Sequence, residues 1–230
     1  MPSIDSIIER QIKQWEAQHS VAREKPQPVP PPPPIITVSR ESGSRGSYFA
    51  QCLAEKLEYQ LIHREVIDAI CESSGYRKRI IESLDEQDRS RLEIMVQSLV
   101  TGQAVDHSDY VQHLYSVILS MADLGGVVLV GRGGPFIIGR DKGFHLRFVC
   151  AREKRIENLI KFTSVSAETA ENEIDRSDDD RRAMVKKAFS ADIDDPHHYD
   201  LVVNTEYLEV EDFITPTIKA IMSKIELVKA

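Results

Sequence analysis

A strand-like run that passes through a Gly/Ser turn into a helical segment constrains this fold more than any other feature. The β-branched run Ile35–Ser39 is followed by the turn RESGSRG, and the apolar residues of Ser47–Leu57 then recur at a helical period. A glycine-containing loop that opens a helix points backbone N–H groups at an anion, and the helix dipole adds to the attraction. This order predicts a phosphate-binding loop, with an ordinary strand–helix turn as the alternative.

Strand-like and helix-like segments alternate along the rest of the chain. Further strands are predicted at Gln60–Ile62, Val127–Val130, Phe144–Val149 and Leu201–Val203. Helices are predicted at Glu65–Ser73, Arg79–Leu84, Asp88–Val100, Asp109–Leu124, Glu153–Phe162, Glu168–Asp175, Asp178–Phe189 and Val210–Leu227. Such alternation implies a parallel sheet with helical crossovers, that is, a three-layer α/β domain. Residues 63–124 are too long for one crossover and predict an inserted helical region.

Residues 1–24 predict an amphipathic helix that a proline-rich linker, residues 25–34, separates from the domain at 35–230. One apolar stripe runs along this helix, formed by Ile4, Ile8, Ile12 and Trp15. A proline run adopts an extended, semi-rigid conformation and acts as a spacer. Because an isolated helix needs a cover for its apolar stripe, three arrangements are open. Residues 4–20 pack back on the domain, pair with a second copy in a homo-oligomer, or bind another protein.

Composition narrows the class of protein. The formal net charge of −8 and the isoelectric point of about 5.4 argue against non-specific binding to nucleic acid or to an anionic membrane. No run of about 18 apolar residues predicts a transmembrane helix, and the first residues do not resemble a signal peptide. We therefore expect a cytoplasmic protein. The three cysteines have neither metal-ligand nor redox spacing.

The predicted loop departs from the standard phosphate-loop motif G-x-x-x-x-G-K-[ST]. In that motif the lysine reaches the β and γ phosphates, and the hydroxyl binds Mg²⁺. Here Arg45 stands at the second glycine, Gly46 stands at the lysine, and Ser47 can hold the hydroxyl position.

Arginines recur where predicted strands end and along the later helices. Arg132 follows a strand, in an α/β sheet whose carboxyl edge is where ligands bind. Others lie downstream at Arg152, Arg155, Arg176, Arg181 and Arg182. Because arginine binds phosphate bidentately and stays charged, these residues predict an anion clamp. For residues 175–182, a solvated helix face with i,i+4 ion pairs is the alternative.

Taken together, these segments resemble the cytidylate kinase-like family, a branch of the P-loop nucleoside monophosphate kinases. The resemblance covers about residues 35–210. The matching pieces are Ile36–Glu41, Gly43–Gly46, His63–Ile67, Val130–Gly133, Arg152–Arg155, Arg176–Arg181, Asp195–Pro196 and Tyr199–Thr205.

The resemblance implies a three-layer P-loop NTPase fold with a central parallel sheet of about five strands, a helical acceptor region at 63–124 and a lid at 163–190. It also implies ATP and Mg²⁺. The donor phosphates and the metal would be held by Gly43, Ser44, Arg45, Gly46 and Ser47, with Ser47 as the metal ligand. Arg64 and Arg132 match positions that face the acceptor nucleotide. Arg176 and Arg181 match lid arginines that fold over the transferred phosphoryl group.

Two functions stay open at this point. The first is a phosphotransferase that moves the terminal phosphoryl group of ATP to a nucleoside monophosphate or a similar small acceptor. Arg45, Arg176 and Arg181 would then be the catalytic cations that replace the lysine. The second is a non-catalytic nucleotide-binding sensor that acts through the N-terminal helix. The missing lysine, and the absence of acids beside Arg132, favour this second function. A nucleic-acid partner is not expected, because no basic stripe with interleaved aromatic residues is present.

Overall fold

The computed structural model describes residues 4–6, 8–10, 12–13, 16–17, 32–82, 90 and 109–229. Five parallel strands form one sheet in the order β2-β3-β1-β4-β5. The strands are β1 (Ile35–Arg40), β2 (Gln60–Ile62), β3 (Val127–Val130), β4 (Gly143–Val149) and β5 (Leu201–Asn204). Strand β1 lies at the centre of the sheet, and the strands that follow it in the chain lie on both sides of it. Open α/β sheets bind ligands at the carboxyl end of such a strand. The predicted α/β sheet of five strands is confirmed.

Helices cover both faces of the sheet. They are α1 (Gly46–Leu57), α2 (Arg64–Glu72), α3 (Ser74–Glu82), α4 (Asp109–Leu124), α5 (Gly134–Ile138), α6 (Arg152–Thr163), α7 (Ala167–Phe189) and α8 (Ile214–Lys229). Short 3₁₀ turns occupy Pro196–His198 and Val210–Phe213. Among the helices that the structure describes, none has the length and apolar character needed to cross a bilayer.

Successive residues of β1 and β3 supply two separate apolar cores. Ile36 and Val38 of β1 pack with Phe49 of α1 on one face, together with Ile221 of α8. Ile35 belongs to the other core, with residues of α2, α3 and α4. Burial on both faces explains why β3 is apolar throughout rather than alternating. In β1, the buried Thr37 and Ser39 interrupt the apolar run.

Three helices differ from the sequence-based prediction. The two helices predicted within 168–189 form the single helix α7, because no glycine or proline interrupts them and Ser166 caps the start by accepting a bond from the N–H of Thr169 at 3.2 Å. Helix α5 was not predicted, since its five residues are too few to show a period. Helix α3 begins at Ser74 rather than Arg79. The helix predicted at Asp88–Val100 lies outside the described residues, apart from Ser90.

The described part of the N-terminal helix packs back on the domain. Ile8 and Ile12 are 1% and 0% exposed and belong to the core formed by α2, α3 and α4. Glu9 and Glu16 both form ion pairs with Arg79 of α3, at 2.7 and 3.2 Å. Within these residues, the helix therefore packs back on the domain, which is one of the three arrangements that the sequence left open. Trp15 and most of the proline run lie outside the described residues.

Candidate phosphate-binding site

The loop between β1 and α1 has a backbone path that requires glycine at two positions. Gly43 has a φ of 78°, and a Cβ there would lie 2.5 Å from the carbonyl oxygen of Arg155. A Cβ at Gly46 would lie 2.7 Å from the Cβ of Arg40 and 2.8 Å from the Cβ of Phe148. Position 46 therefore has no room for any side chain, which is the structural reason that the usual lysine is absent.

Three side chains from two distant segments bind the loop carbonyls from outside. Arg155 of α6 reaches the carbonyl of Ser42 at 3.4 Å, and Asn158, one turn further on, donates to that of Gly43 at 2.9 Å. The hydroxyl of Thr205, after β5, donates to the carbonyl of Ser44 at 2.9 Å. In a planar trans peptide the N–H points opposite to the C=O. Fixing the carbonyls outward therefore turns the N–H groups of the next residues toward the inside of the loop.

Helix α1 adds further free donors at this place. Arg45 adopts a left-handed conformation with a φ of 62°, and no side chain caps the start of the helix. The first bond from the helix start is that of the Phe49 N–H to the carbonyl of Arg45 at 3.0 Å. The N–H groups of residues 46–48 thus lack intrahelical acceptors. Together with the positive end of the helix dipole, they form an anion-binding surface.

A cavity of about 580 Å³ lies over this surface and is called the loop cavity here. Its walls are residues 40–43 and 45–48 of the loop, Asn158, Leu159, Phe162 and Thr163 of α6, Arg181 of α7, and Glu211. This volume falls within the range of roughly 300–1,000 Å³ in which proteins bind small molecules and cofactors.

Arg40 is a candidate site residue that the sequence-based prediction missed. It is the last residue of β1, and its Nε donates a hydrogen bond to the Oγ of Ser47 at 3.1 Å. No carboxylate lies within ion-pair distance of Arg40 in the part of the chain that the structure describes. The available signal was its position, since a charged residue at the carboxyl end of a buried central strand points to a ligand site.

The surroundings of Arg40 are unfavourable for a positive charge. Burial, and then the neighbouring Arg181 and Arg64, lower the pKa of Arg40 to about 9. The pKa of Arg181 is also lowered, chiefly by burial and against the opposing effect of Asp178. Arg40 remains cationic at neutral pH. Glu65 and Asp178 offset part of the lowering of the Arg40 pKa. Three arginines around one cavity favour the binding of an anion.

Arg45 points away from this cluster toward the rim of the loop cavity. Its guanidinium lies 4.8 Å from the ring centroids of both Tyr48 and Phe162. It also pairs with Glu209 and Glu211 at 3.4 and 3.2 Å. The left-handed backbone of Arg45 directs its side chain outward, so the position of Arg45 does not match the predicted role as replacement for the lysine. The side chain that lies beside Ser47 in the loop is that of Arg40.

The two lid arginines are in different environments. Arg181 lines the loop cavity, and its guanidinium donates to Asp178 at 2.9 Å. Arg176 is 75% exposed in its side chain and pairs with Glu173 at 2.8 Å. One and a half turns of α7 separate the two residues and place them on different faces. The structure brings Arg181 to the site and leaves Arg176 outside it.

A second cavity, the inner cavity, adjoins the loop cavity and shares Arg40 and Arg181 with it. It is bounded by Ser39, Arg64, Gly131, Arg132, Gly133, Phe136, Asp180 and Met184, among others. Arg64 has a side chain that is 57% exposed, so it is free to approach a ligand. Arg132 also lines the cavity, but its guanidinium forms an ion pair with Asp68, whose other oxygen accepts a bond from Tyr110 at 2.8 Å.

The residues present do not fit a magnesium ion at Ser47. The hydroxyl of Ser47 already accepts the hydrogen bond from Arg40. A dication bound to the same oxygen, at about 2.1 Å, would stand next to a guanidinium. Among the described residues, no group of three or more His, Cys, Asp or Glu side chains could hold a metal. The surroundings of Ser47 therefore do not suit the predicted metal role, whereas the loop N–H groups and the arginines suit an anion such as a phosphate group.

Three comparisons relate this chain to known proteins. An uncharacterized protein from Eubacterium ventriosum shares the fold, with a TM-score of 0.64 at 18% identity over 82% of this chain and 98% of that one. A shikimate kinase from Bacteroides thetaiotaomicron aligns with a TM-score of 0.39 at 14% identity, over 85% of this chain and 98% of that one. A stretch of 104 residues is 30% identical to the uronate isomerase of Corynebacterium glutamicum; it covers 44% of this chain and only 20% of that protein.

The family comparison covers most of the chain. The model of the cytidylate kinase-like family matches residues 35–207, from the start of β1 to just beyond β5. The match therefore includes the phosphate loop, the inner cavity and α7. The chain belongs to the cytidylate kinase-like family.

Proposed function

We propose that this protein is a kinase-like phosphotransferase that moves the terminal phosphoryl group of ATP to a nucleoside monophosphate or a similar small acceptor. One observation carries the proposal: the loop cavity and the inner cavity meet at Arg40 and Arg181. A donor in one cavity and an acceptor in the other would face each other across these two guanidinium groups. Family membership supports the same class of reaction.

Phosphoryl transfer asks the protein for positioning and charge stabilisation rather than for covalent chemistry. The N–H groups of residues 43 and 45–48 would hold the donor phosphates in the loop cavity, whereas that of Ser44 donates to the carbonyl of Glu41 at 3.3 Å. An oxygen of the acceptor then attacks the terminal phosphorus while the bond from that phosphorus to the bridging oxygen breaks, which leaves ADP. Arg40 and Arg181 would stabilise the charge on the transferred group.

The acceptor would enter from the side of the inner cavity. Arg64 at the start of α2 is the exposed cation there and would bind an acidic group of the acceptor. The apolar part of the same cavity, formed by Val38, Pro135, Phe136, Met184 and Ile193, would contact the remainder of the acceptor. A small acceptor that combines an anionic end with a less polar body suits this lining.

The test is a phosphotransfer screen with ATP over nucleoside monophosphates and small phosphorylated or hydroxylated acceptors. Arg64→Ala should raise the KM for the acceptor about 10-fold or more while leaving the KM for ATP nearly unchanged. Hydrolysis of ATP without any transfer, over the whole screen, would contradict the proposal.

The non-catalytic nucleotide sensor remains the second candidate, because one observation favours it. The N-terminal helix packs on α3, which directly follows the helix that carries Arg64. A nucleotide bound beside Arg64 could therefore alter the packing of Ile8 and Ile12. Nucleotide-dependent stabilisation without turnover, lost or altered when residues 1–34 are removed, would select this function.

A further inference from the structure

Arg40 crosses the space between the phosphate loop and the end of β3 because glycines flank it. A Cβ at Gly46 would lie 2.7 Å from the Cβ of Arg40, and a Cβ at Gly131 would lie 3.1 Å from its Nη1. The side chain therefore uses the space that both glycines leave open. This path brings its guanidinium to the hydroxyl of Ser47 and to the boundary between the two cavities.

We propose that Arg40 is the resident cation of the phosphate loop: it binds the oligophosphate chain of the ligand and takes the place of a divalent metal at Ser47. Oligophosphate binding at this loop consequently needs no Mg²⁺. The choice of ATP as the natural oligophosphate rests on the proposed function, whereas the role of Arg40 rests on the geometry of the loop.

The charges around Arg40 support an anionic ligand. Arg40 has two terminal nitrogens for which the described residues provide no carboxylate partner, and Arg64 and Arg181 add positive charge nearby. Arg181 is compensated by Asp178, and Arg64 lies 3.4 Å from Glu65, but Arg40 has no such partner among the described residues. A guanidinium matches phosphate oxygens bidentately. Oligophosphate binding would remove the mutual repulsion of these three cations.

The same geometry argues against a metal at Ser47. Mg²⁺ binds a serine hydroxyl and phosphate oxygens at about 2.1 Å and keeps near-ideal octahedral geometry. At the Oγ of Ser47 it would compete with the Nε of Arg40, which is 3.1 Å away. Removing the guanidinium frees this hydroxyl, so a variant without Arg40 should bind oligophosphate better when Mg²⁺ is added.

The experiment measures the binding of inorganic tripolyphosphate and of ATP by calorimetry, once in EDTA and once in MgCl₂. The wild-type protein should bind tripolyphosphate in EDTA with an affinity within about threefold of that in MgCl₂. Arg40→Met should weaken binding in EDTA about 10- to 100-fold, the range expected for hydrogen bonds between charged groups. It should also acquire a Mg²⁺ dependence. Arg40→Lys, which keeps the charge, should fall between the two.

Arg140→Met is the matched control, because it also removes one arginine charge. Arg140 precedes β4, so it lies near the amino-terminal ends of the parallel strands, whereas the loop lies at the carboxyl end of β1. The affinity of the Arg140→Met variant for tripolyphosphate should equal that of the wild type. Circular dichroism establishes that each variant is folded, and the metal dependence of the wild type decides the question even if Arg40→Met does not fold.

Binding by the wild type only in MgCl₂, an unchanged affinity of a folded Arg40→Met variant, or no oligophosphate binding in either buffer would each overturn the inference. Tripolyphosphate binding through Arg40 without phosphoryl transfer from ATP would support the inference while contradicting the proposed enzyme. Phosphoryl transfer from ATP that needs Mg²⁺ and does not need Arg40 would support the proposed enzyme while contradicting the inference.

Discussion

The carboxylate of Asp178, on α7, accepts a hydrogen bond at 2.9 Å from the backbone N–H of Ser42 in the phosphate loop. The same carboxylate pairs with Arg155 of α6 and with Arg181, and only 9% of its side chain is exposed. One buried anion therefore joins α6 and α7 to the loop. It also fixes Arg181 over the boundary between the two cavities, so the position of this arginine depends on Asp178.

Loss of Asp178 should destabilise the protein. Asp178→Ala leaves Arg155 as a buried cation without its main partner, and breaking a buried pair from one side costs about 3–5 kcal/mol. Denaturant unfolding of the variant and the wild type measures the difference. Asp175→Ala is the control, because its pair with Arg152 is largely exposed and worth at most about 1 kcal/mol.

Inorganic phosphate gives a second measurement on the same variants. It should raise the melting temperature of Asp178→Ala more than that of the wild type, because the anion can replace the missing carboxylate between the arginines. Equal shifts for Asp178→Ala, Asp175→Ala and the wild type would show that no anion binds where Asp178 stood.

Arg181 and Arg176 provide a test of which residue of α7 acts in catalysis. Arg181→Ala should lower kcat/KM for phosphoryl transfer by about 10³-fold, the lower end of the effects of arginines that contact the transferred group. Arg176→Ala should change kcat/KM less than about threefold, since its side chain is exposed and pairs with Glu173. The measurement is steady-state kinetics of both variants. Their melting temperatures serve as the control for correct folding. A large effect of Arg176→Ala would instead place both arginines at the phosphoryl group.

Gly46 should not tolerate any side chain. Gly46→Ala forces a Cβ to within 2.7 Å of Arg40 and 2.8 Å of Phe148, which should cost about 1–3 kcal/mol in unfolding free energy. Gly46→Lys should likewise lower both the stability and the ATP affinity, although it restores the standard motif. The control is Gly75→Ala in α3, where the nearest atom to a new Cβ is 3.8 Å away. That change should be neutral or stabilising, because alanine favours helix. Improved ATP binding by Gly46→Lys would mean that the loop has space for a lysine.

His145 should make the stability fall in mild acid. The ring is fully buried, Nε2 donates to the carbonyl of Gly139 at 3.0 Å, and Nδ1 accepts from the hydroxyl of Thr37 at 2.8 Å. Burial lowers the pKa of His145 below the usual 6.5. Below pH 6.5 the unfolded chain therefore binds a proton that the folded state does not. The free energy of unfolding should drop toward pH 5, with a limiting slope of about 1.4 kcal/mol per pH unit.

The matched variant for this prediction is His145→Gln, which has no titrating group at that position. Its unfolding free energy, measured by denaturant titration between pH 5 and pH 8, should depend less steeply on pH than that of the wild type. Parallel pH profiles would show that His145 does not contribute. The exposed His197 provides a control substitution, His197→Gln, for the loss of a histidine at the surface.

Local patterns were sufficient to predict much of this fold. Short, mostly apolar runs between turn residues identified the five strands, because parallel strands covered by helices on both faces are rich in apolar residues. The same reasoning missed α5, whose single turn has no readable period, and divided α7 at an acidic stretch. No glycine or proline interrupts α7, and Asp178 in the acidic stretch is buried by two arginines.

The sequence alone determined that a strand, a glycine loop and a helix follow one another in an α/β domain, since these are properties of neighbouring residues. The central position of that strand is a result of the tertiary structure. It also determined that arginines surround the loop. Only the tertiary structure decided which arginine serves it. The left-handed backbone at Arg45 turns that side chain to the rim, whereas the glycines at 46 and 131 open a path for Arg40. The approach of Arg40 to Gly131, about 90 positions away, is a tertiary contact that no local pattern records.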